Sequence, residues 1–297
     1  MIENFSELSD IARKKGLRKI AVVNADDSDV LLSLKKATEE QIVKPILFGN
    51  AKNIEKRLAE NKLTYDVEIV DCDSDEKSAE EAVKTITAGN AHMLMKGLVS
   101  SSTFMKAALN KEWGLHNNTL LSHITLVVSD MREKGFILTD AGINIAPDLM
   151  AKKAIAENAI EVAHKLGIEI PILVPVCAVE TVNLKMPATV DAAILSKMSE
   201  RGQVKRCIID GPLALDNAIS LEAAEHKNIT SAGAGLADII LVPNIEAGNI
   251  IYKTLAYLAH TRMAAIVAGA KVPMVLTSRS DSPETKYNSI VLASALA

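Results

Sequence analysis

The stretch KVPMVLTSRSDSPETKYNSI, residues 271–290, sets the pattern by which the rest of the chain reads. An apolar run ends in Thr277-Ser278-Arg279-Ser280-Asp281-Ser282, and Pro283 then opens a segment able to form a helix. Proline is favoured in a first helical turn, and Ser or Asp caps a helix by accepting from its free N–H groups. The same chemistry suits an anion. Backbone N–H groups at a helix start, a two-pronged guanidinium and several hydroxyls together make a cradle for phosphate. Capping draws on the same residue types, so this stretch alone leaves both readings open.

Outward from it, the strand–turn–helix pattern recurs. Short apolar runs appear at KIAVVNADD (19–27), KPILFGN (44–50), DVEIVDC (66–72), AHMLMKG (91–97), PILVPVC (171–177), RCIIDGP (206–212) and ADIILVPN (237–244). Helical patterns such as PDLMAKKAIAENAIEVAHKLG lie between many of them, this one ending at Gly167, a suitable C-cap. Such alternation predicts an α/β fold with a parallel sheet covered on both faces. HITLVVSD (123–130) and GFILTDA (135–141), joined by the charged MREK turn, read instead as a hairpin, so the sheet that holds them is expected to be mixed. The polar run Glu112 to Asn118 is the expected crossing between two domains.

Composition narrows the functional classes. The 297 residues allow two domains, and 48% hydrophobic residues with only 3% aromatics imply an aliphatic core. A net charge of −4 disfavours a general nucleic-acid binder. No apolar run approaches the roughly 18 residues needed to cross a bilayer, and the polar start MIENFSELSDIARKKG is unlike a secretory signal. Three scattered cysteines do not suggest a disulfide framework, and a cytoplasmic protein is expected. There is no G-x-x-x-x-G-K-[ST], no H-E-x-x-H and no G-x-S-x-G, and the six histidines lack ligand spacing. No metal is therefore expected, and the histidines read as surface or packing residues. The acidic DCDSDEK (71–77) reads as a solvated loop.

Ligands in open α/β sheets bind beyond the carboxyl ends of the strands, so the loops that follow the apolar runs matter most. MKGLVSSSTFMKAAL (95–109) offers Lys96, Ser100 and Ser101 as a second anion cradle, or as a loop ending in a generous cap. VPNIEAGNIIYKTLAYLAH (242–260) places Asn244, Glu246, Gly248 and Asn249 between strand and helix, with Gly248 able to admit a ligand close to the backbone. DGPLALDNA (210–218) and TDAGINIAP (139–147) end strands with an aspartate and bring Asp210 and Asn144 into the candidate set. Any one of these loops means little. Together they point to a small-molecule cleft.

At this point the residues resemble a known family. IDGPLALDNAIS, GLADIILVPNIEAGNIIYKTLAYLA and PMVLTSRSDS are similar, in order and spacing, to the phosphate acetyl/butyryltransferases, and NLKMPATVDAAILSKMSERGQ (183–203) resembles the butyryltransferase branch. The resemblance implies two doubly wound three-layer domains, residues 1–115 with 270–297 and residues 116–269, with a cleft between them and the C-terminal segment returning to the first. It implies acyl transfer from CoA to inorganic phosphate and back, by direct attack of the CoA thiol on a bound acyl phosphate. CoA is then a substrate, and no tightly bound cofactor is expected. Arg279 would grip phosphate, Ser278 would donate to the oxyanion or leaving oxygen, and Ser280 shares their turn.

The family places a basic aspartate a few residues beyond the Ser-Arg pair, whereas Thr285 stands there in this chain. Asp281 is the preferred base and Glu284 the alternative. The arginines that grip CoA phosphates in the family have no clean match in this chain, and Lys96 and Lys106 fall in the corresponding region. The resemblance also implies a dimer or larger homo-oligomer, consistent with the apolar IIYKTLAYLAHTRMAAIVAGA (250–270), which a buried helix would explain equally. Alternatives are a phosphate acetyltransferase, an NAD(P)-dependent dehydrogenase of related fold, and a CoA-binding protein without catalysis.

Overall fold

Element order in the computed structural model, which describes residues 2–259, 261–278 and 281–297, follows the alternation of the sequence. First come α1 (Phe5–Lys14), β1 (Arg18–Val23), α2 (Ser28–Glu39), β2 (Val43–Gly49), α3 (Ala51–Glu60), β3 (Glu68–Asp71), α4 (Asp75–Thr87), β4 (Met93–Lys96) and α5 (Ser101–Ala108). The middle of the chain forms β5 (Ser122–Val128), β6 (Phe136–Thr139), α6 (Leu149–Lys165), β7 (Ile172–Pro175), α7 (Pro187–Glu200), β8 (Ile208–Ile209), α8 (Leu215–Ile219), α9 (Leu221–His226), β9 (Ile239–Leu241) and α10 (Ile245–Tyr257). The end supplies β10 (Arg262–Ala268), β11 (Met274–Val275) and α11 (Pro283–Leu296). Contacts divide the chain into one unit of residues 5–119 and 263–297 and another of residues 1–4 and 120–262.

In the first of these units the strands run in the order β3-β2-β1-β4-β11-β10. All pairings are parallel except that of β10 with β11. A parallel strand covered on both faces must be apolar throughout, and β1 meets this with Ile20, Ala21, Val22 and Val23 all fully buried. The returning helix α11 is buried around its whole circumference from Lys286 to Leu296 and packs against α1 and α2. A helix without a wet face belongs to a core. Its residues Ile290, Val291 and Leu292 each contribute on the order of 1.5–3 kcal/mol by leaving water.

The second unit orders its strands β5-β6-β9-β7-β8. The expected hairpin is there: β5 pairs antiparallel with β6, Thr125 opposite Leu138, and the other pairings are parallel. Helices in both units start with a side chain folded onto their free N–H groups. Asp27, Ser100, Asp148, Asn244 and Ser282 each cap the helix that follows. Each cap stabilises its helix by roughly 1 kcal/mol and fixes the direction in which the preceding loop leaves the sheet.

Candidate functional site

In the first unit, register brings three strand ends to one edge. Val23, the last residue of β1, pairs with Lys96, the last of β4, and Val275 of β11 pairs with Met95. The loops after β1, β4 and β11 therefore leave side by side. Lys96 is buried, 6% exposed, with its Nζ donating to the Gly97 carbonyl at 3.4 Å. The next two residues hug the loop after β1: Gly97 N–H donates to Val23 O at 2.8 Å and Leu98 N–H to Asn24 O at 2.7 Å. A Cβ on Gly97 would sit 2.2 Å from Asn24 O and 2.7 Å from Val23 O, so only glycine lets the two loops approach this closely.

Beyond β11 the chain closes on itself. Ser278 N–H donates to Asp281 Oδ2 at 2.8 Å, and Asp281 N–H returns a bond to Ser278 O at 3.1 Å. Asp281 is only 6% exposed. It is not the cap of α11, because that position belongs to Ser282, whose Oγ accepts from Thr285 N–H at 3.1 Å. Two carboxylates that the sequence could not separate are thus separated by burial: Asp281 lies within the closed turn, while Glu284 is exposed in the first turn of α11. Arg279 and Ser280, both expected in the site, lie outside the described residues.

Ser100 caps α5, accepting from Thr103 N–H at 3.0 Å, with Ser101 exposed beside it. Lys106 does not join this edge. It is exposed in the last turn of α5, about 9 Å along the helix from Ser100 at 1.5 Å per residue. The acidic stretch 71–77 is a short connection and not a free loop: Asp71 ends β3, Ser74 caps α4, and Asp75 in the first turn of α4 accepts from the Asn24 side chain.

The second unit's loops are more self-contained. Asp140, 2% exposed, accepts from Gly142 N–H at 2.8 Å, Ile143 N–H at 2.9 Å and Asn144 N–H at 3.2 Å. Asn144 Nδ2 donates to Asp140 Oδ2 at 2.6 Å and to Leu121 O at 2.8 Å. Both amide hydrogens of Asn144 are spent on building the loop, so a substrate contact from this side chain would fall to its Oδ1. Gly248 also has a packing explanation, since a Cβ there would meet Asp140 O at 2.6 Å and Ala141 Cα at 2.9 Å. Asn244 caps α10 by accepting from Ala247 N–H at 3.0 Å. Asp210 Oδ2 accepts from Gly233 N–H at 2.6 Å, while Glu246 and Asn249 are exposed on the first turns of α10.

Cys177, just past β7, is half-buried, and burial pushes its thiol up to about 11. A thiol that stays protonated is a poor nucleophile. His123 packs edge-on against Tyr252 with ring centroids 5.9 Å apart, and His92 Nδ1 accepts from Lys19 N–H at 3.0 Å. Both act as packing and bonding residues of their own units. His260 lies outside the described residues, among which no group of three or more His, Cys, Asp or Glu could hold a metal ion.

A buried carboxylate, a buried ammonium and capped helix starts lie at the carboxyl ends of the strands, where proteins of the open α/β class bind their ligands. The particular kind follows from likeness to known chains. Residues 78–294 match the phosphate acetyl/butaryl transferase family, and the chain belongs to it. It is 47% identical over 298 residues to the phosphate butyryltransferase of Clostridium beijerinckii, covering 100% of this chain and 99% of that one. It is 41% identical over 292 residues to the phosphate acetyltransferase of Thermotoga maritima, covering 98% and 99%. Its fold is similar to the crystal structure of a branched-chain phosphotransacylase from Enterococcus faecalis, with a TM-score of 0.84, 34% identity, and 94% and 98% coverage.

The close approach at Gly97 yields a test of how the first unit's site is built. Gly97→Ala must push the loop after β1 away from that after β4, and a loss of about 1–3 kcal/mol in unfolding free energy is expected, the usual scale for overpacking. Denaturant titration measures it, and an unchanged midpoint would contradict the geometry.

Proposed function

We propose that this chain moves a short acyl group between CoA and inorganic phosphate: acyl-CoA + phosphate ⇌ acyl phosphate + CoA, with butyryl preferred. The observation that carries the reading is the closed turn in which Ser278 and Asp281 bond to each other immediately before α11. Family membership and identity to butyryltransferases across the whole chain support it.

The chemistry suits the residues. Attack of the CoA thiol on the acyl carbon of a bound acyl phosphate forms a tetrahedral intermediate with an oxyanion next to a phosphate that is already charged. Electrostatic donors are then the largest catalytic contribution. Arg279 binds the phosphate in bidentate fashion, Ser278 donates to the oxyanion or leaving oxygen, and Asp281 takes the thiol proton. Lys96, Ser100 and Ser101 supply charge and hydroxyls from the neighbouring loop of the same sheet edge. Asp210, Asn244, Glu246 and Asn249 are retained as contacts to the rest of the acyl-CoA. The thiol attacks directly in a ternary complex, with no acyl-enzyme. The chain acts in the cytoplasm as a homo-oligomer, and exposed Ile250, Tyr257 and Leu258, along α10 and just past its end, support a self-associating face.

Thiol release from butyryl-CoA tests the activity. Release should require phosphate and exceed that from acetyl-CoA. Release without phosphate would overturn the reaction, and faster release from acetyl-CoA would replace the butyryl reading by the acetyl one.

Three outcomes follow for variants and assembly. Asp281→Asn should lose about 10²–10⁴ in the thiol-attack direction and flatten the acid limb of the pH–rate profile, whereas Glu284→Gln should stay near the wild-type rate. The reverse pattern would move the base to Glu284. Cys177→Ala should give a pH–rate profile that overlays the wild type from about pH 6 to 9, because a thiol titrating near 11 is protonated throughout that window. A lost limb would put Cys177 in the chemistry. Light scattering at micromolar concentration should return at least twice the chain mass, and a monomer would contradict the oligomer.

A further inference from the structure

Lys286 is the second residue of interest at this turn, and neither spacing nor resemblance pointed to it. It stands in the first half of α11 with only 3% of its surface exposed. Burying an ammonium is costly unless several groups compensate it, and an aliphatic residue would fill a core helix at far lower cost. Two groups compensate here. The Nζ donates to the Asp281 carbonyl at 2.5 Å and lies 3.7 Å from Asp29 Oδ2, which belongs to the first turn of α2. The two helices also meet at Ser33 in the middle of α2, whose Oγ lies 2.6 Å from Asp29 O and 2.9 Å from Pro283 O, its one proton shared between the two carbonyls.

Among the described residues, three bonds hold Asp281. Its carboxylate accepts from Ser278 N–H, its N–H donates to Ser278 O, and its carbonyl accepts from Lys286. The first two bonds close the turn. The third ties that closed turn to α11, and the same ammonium lies 3.7 Å from Asp29 of α2, the helix that follows β1, two strands away from β11. Of the charged groups on the helices packed against α11, Asp29 is the one in contact with this ammonium. Lys36 of α2 lies instead over the Tyr287 ring at 3.9 Å, and Glu40 accepts from Tyr287 Oη at 2.7 Å. Its Nζ is committed to the Asp281 carbonyl and faces Asp29, so its influence on the reaction is read through Asp281.

We infer that Lys286 is a positioning residue for the acyl-transfer reaction: it fixes the Asp281 peptide, and so aims the carboxylate that takes the thiol proton. This rests on the reading of Asp281 as the base. A role that was only structural would lower the melting temperature and the active fraction together. A positioning role lowers kcat in a way that depends on Asp281.

The experiment is a double-mutant cycle in the full-length protein, with kcat and KM measured in the thiol-attack direction for butyryl phosphate and CoA. Lys286→Met should lower kcat on the order of tenfold to a hundredfold, with KM for CoA within about twofold of wild type. In an Asp281→Asn background the same change should cost less than about twofold, since a misaimed base that is already gone has nothing more to lose. Lys286→Gln keeps a donor at that depth, so it should lose less than the Met variant, and it carries the same cycle if the Met variant does not fold. Losses that multiply in the double variant, or a Gln variant as slow as the Met variant, would overturn the inference. Asp281→Asn crippled beside a fully active Lys286→Met would overturn it alone. Wild-type turnover in Asp281→Asn would overturn the base reading and this inference with it.

Discussion

The bond from Ser278 N–H to the Asp281 carboxylate is the constraint on which the first unit's site depends. It links two residues that sequence reading could assign only by type. A carboxylate three positions ahead of its donor and 6% exposed loses much of its contact with water, and hydrogen bonds from the chain must replace that contact. The backbone then leaves β11 in one defined direction, and Ser282 can begin α11 with its cap already in place. A turn formed in this way keeps its donors preorganised, which is what stabilising a developing oxyanion requires.

Beneath the turn, packing supplies the rigidity that a surface loop lacks. Helix α11 is buried from Lys286 onward, and its buried serines are bonded: Ser289 Oγ accepts from Ala265 N–H at 2.8 Å and donates to Thr285 O at 2.7 Å, and Ser294 Oγ donates to Ile42 O at 3.5 Å. Gly97 makes a similar contribution from the side, letting the loop after β4 lie directly on the loop after β1. The strand-end loops of this unit are thus mutually supported by backbone bonds, a missing Cβ and two buried ammonium groups, Lys96 and Lys286.

Much of this was legible in the order of residues. Alternating apolar runs and amphipathic segments gave the α/β architecture, and the short charged turn between HITLVVSD and GFILTDA gave the antiparallel β5–β6 pair. The turn after β11 stood out because strand, hydroxyls, guanidinium and helix-opening proline follow without interruption. Burial was not legible. Asp281 and Glu284 look alike on paper, yet one is enclosed and the other faces water. Asn144 reads as a substrate contact by type, and the sequence does not show that its amide hydrogens go to Asp140 and Leu121. Lys106 seemed close to Ser100 by count, but a helix carries it away from the strand ends. Lys286 was hidden because a lysine in a helical pattern reads as a wet residue, and only the packing of α11 against α2 puts it indoors.

The central claim is that the turn between β11 and α11 binds phosphate and is more than a helix cap. Arg279→Lys tests it most directly, because it keeps the charge and removes the planar two-pronged donor. Steady-state kinetics with butyryl-CoA and varied phosphate should show turnover falling on the order of tenfold to a thousandfold, about 1.4 kcal/mol for each factor of ten, with the melting temperature essentially unmoved. A fully active Arg279→Lys with unchanged phosphate affinity would make the turn a cap and place the phosphate site elsewhere.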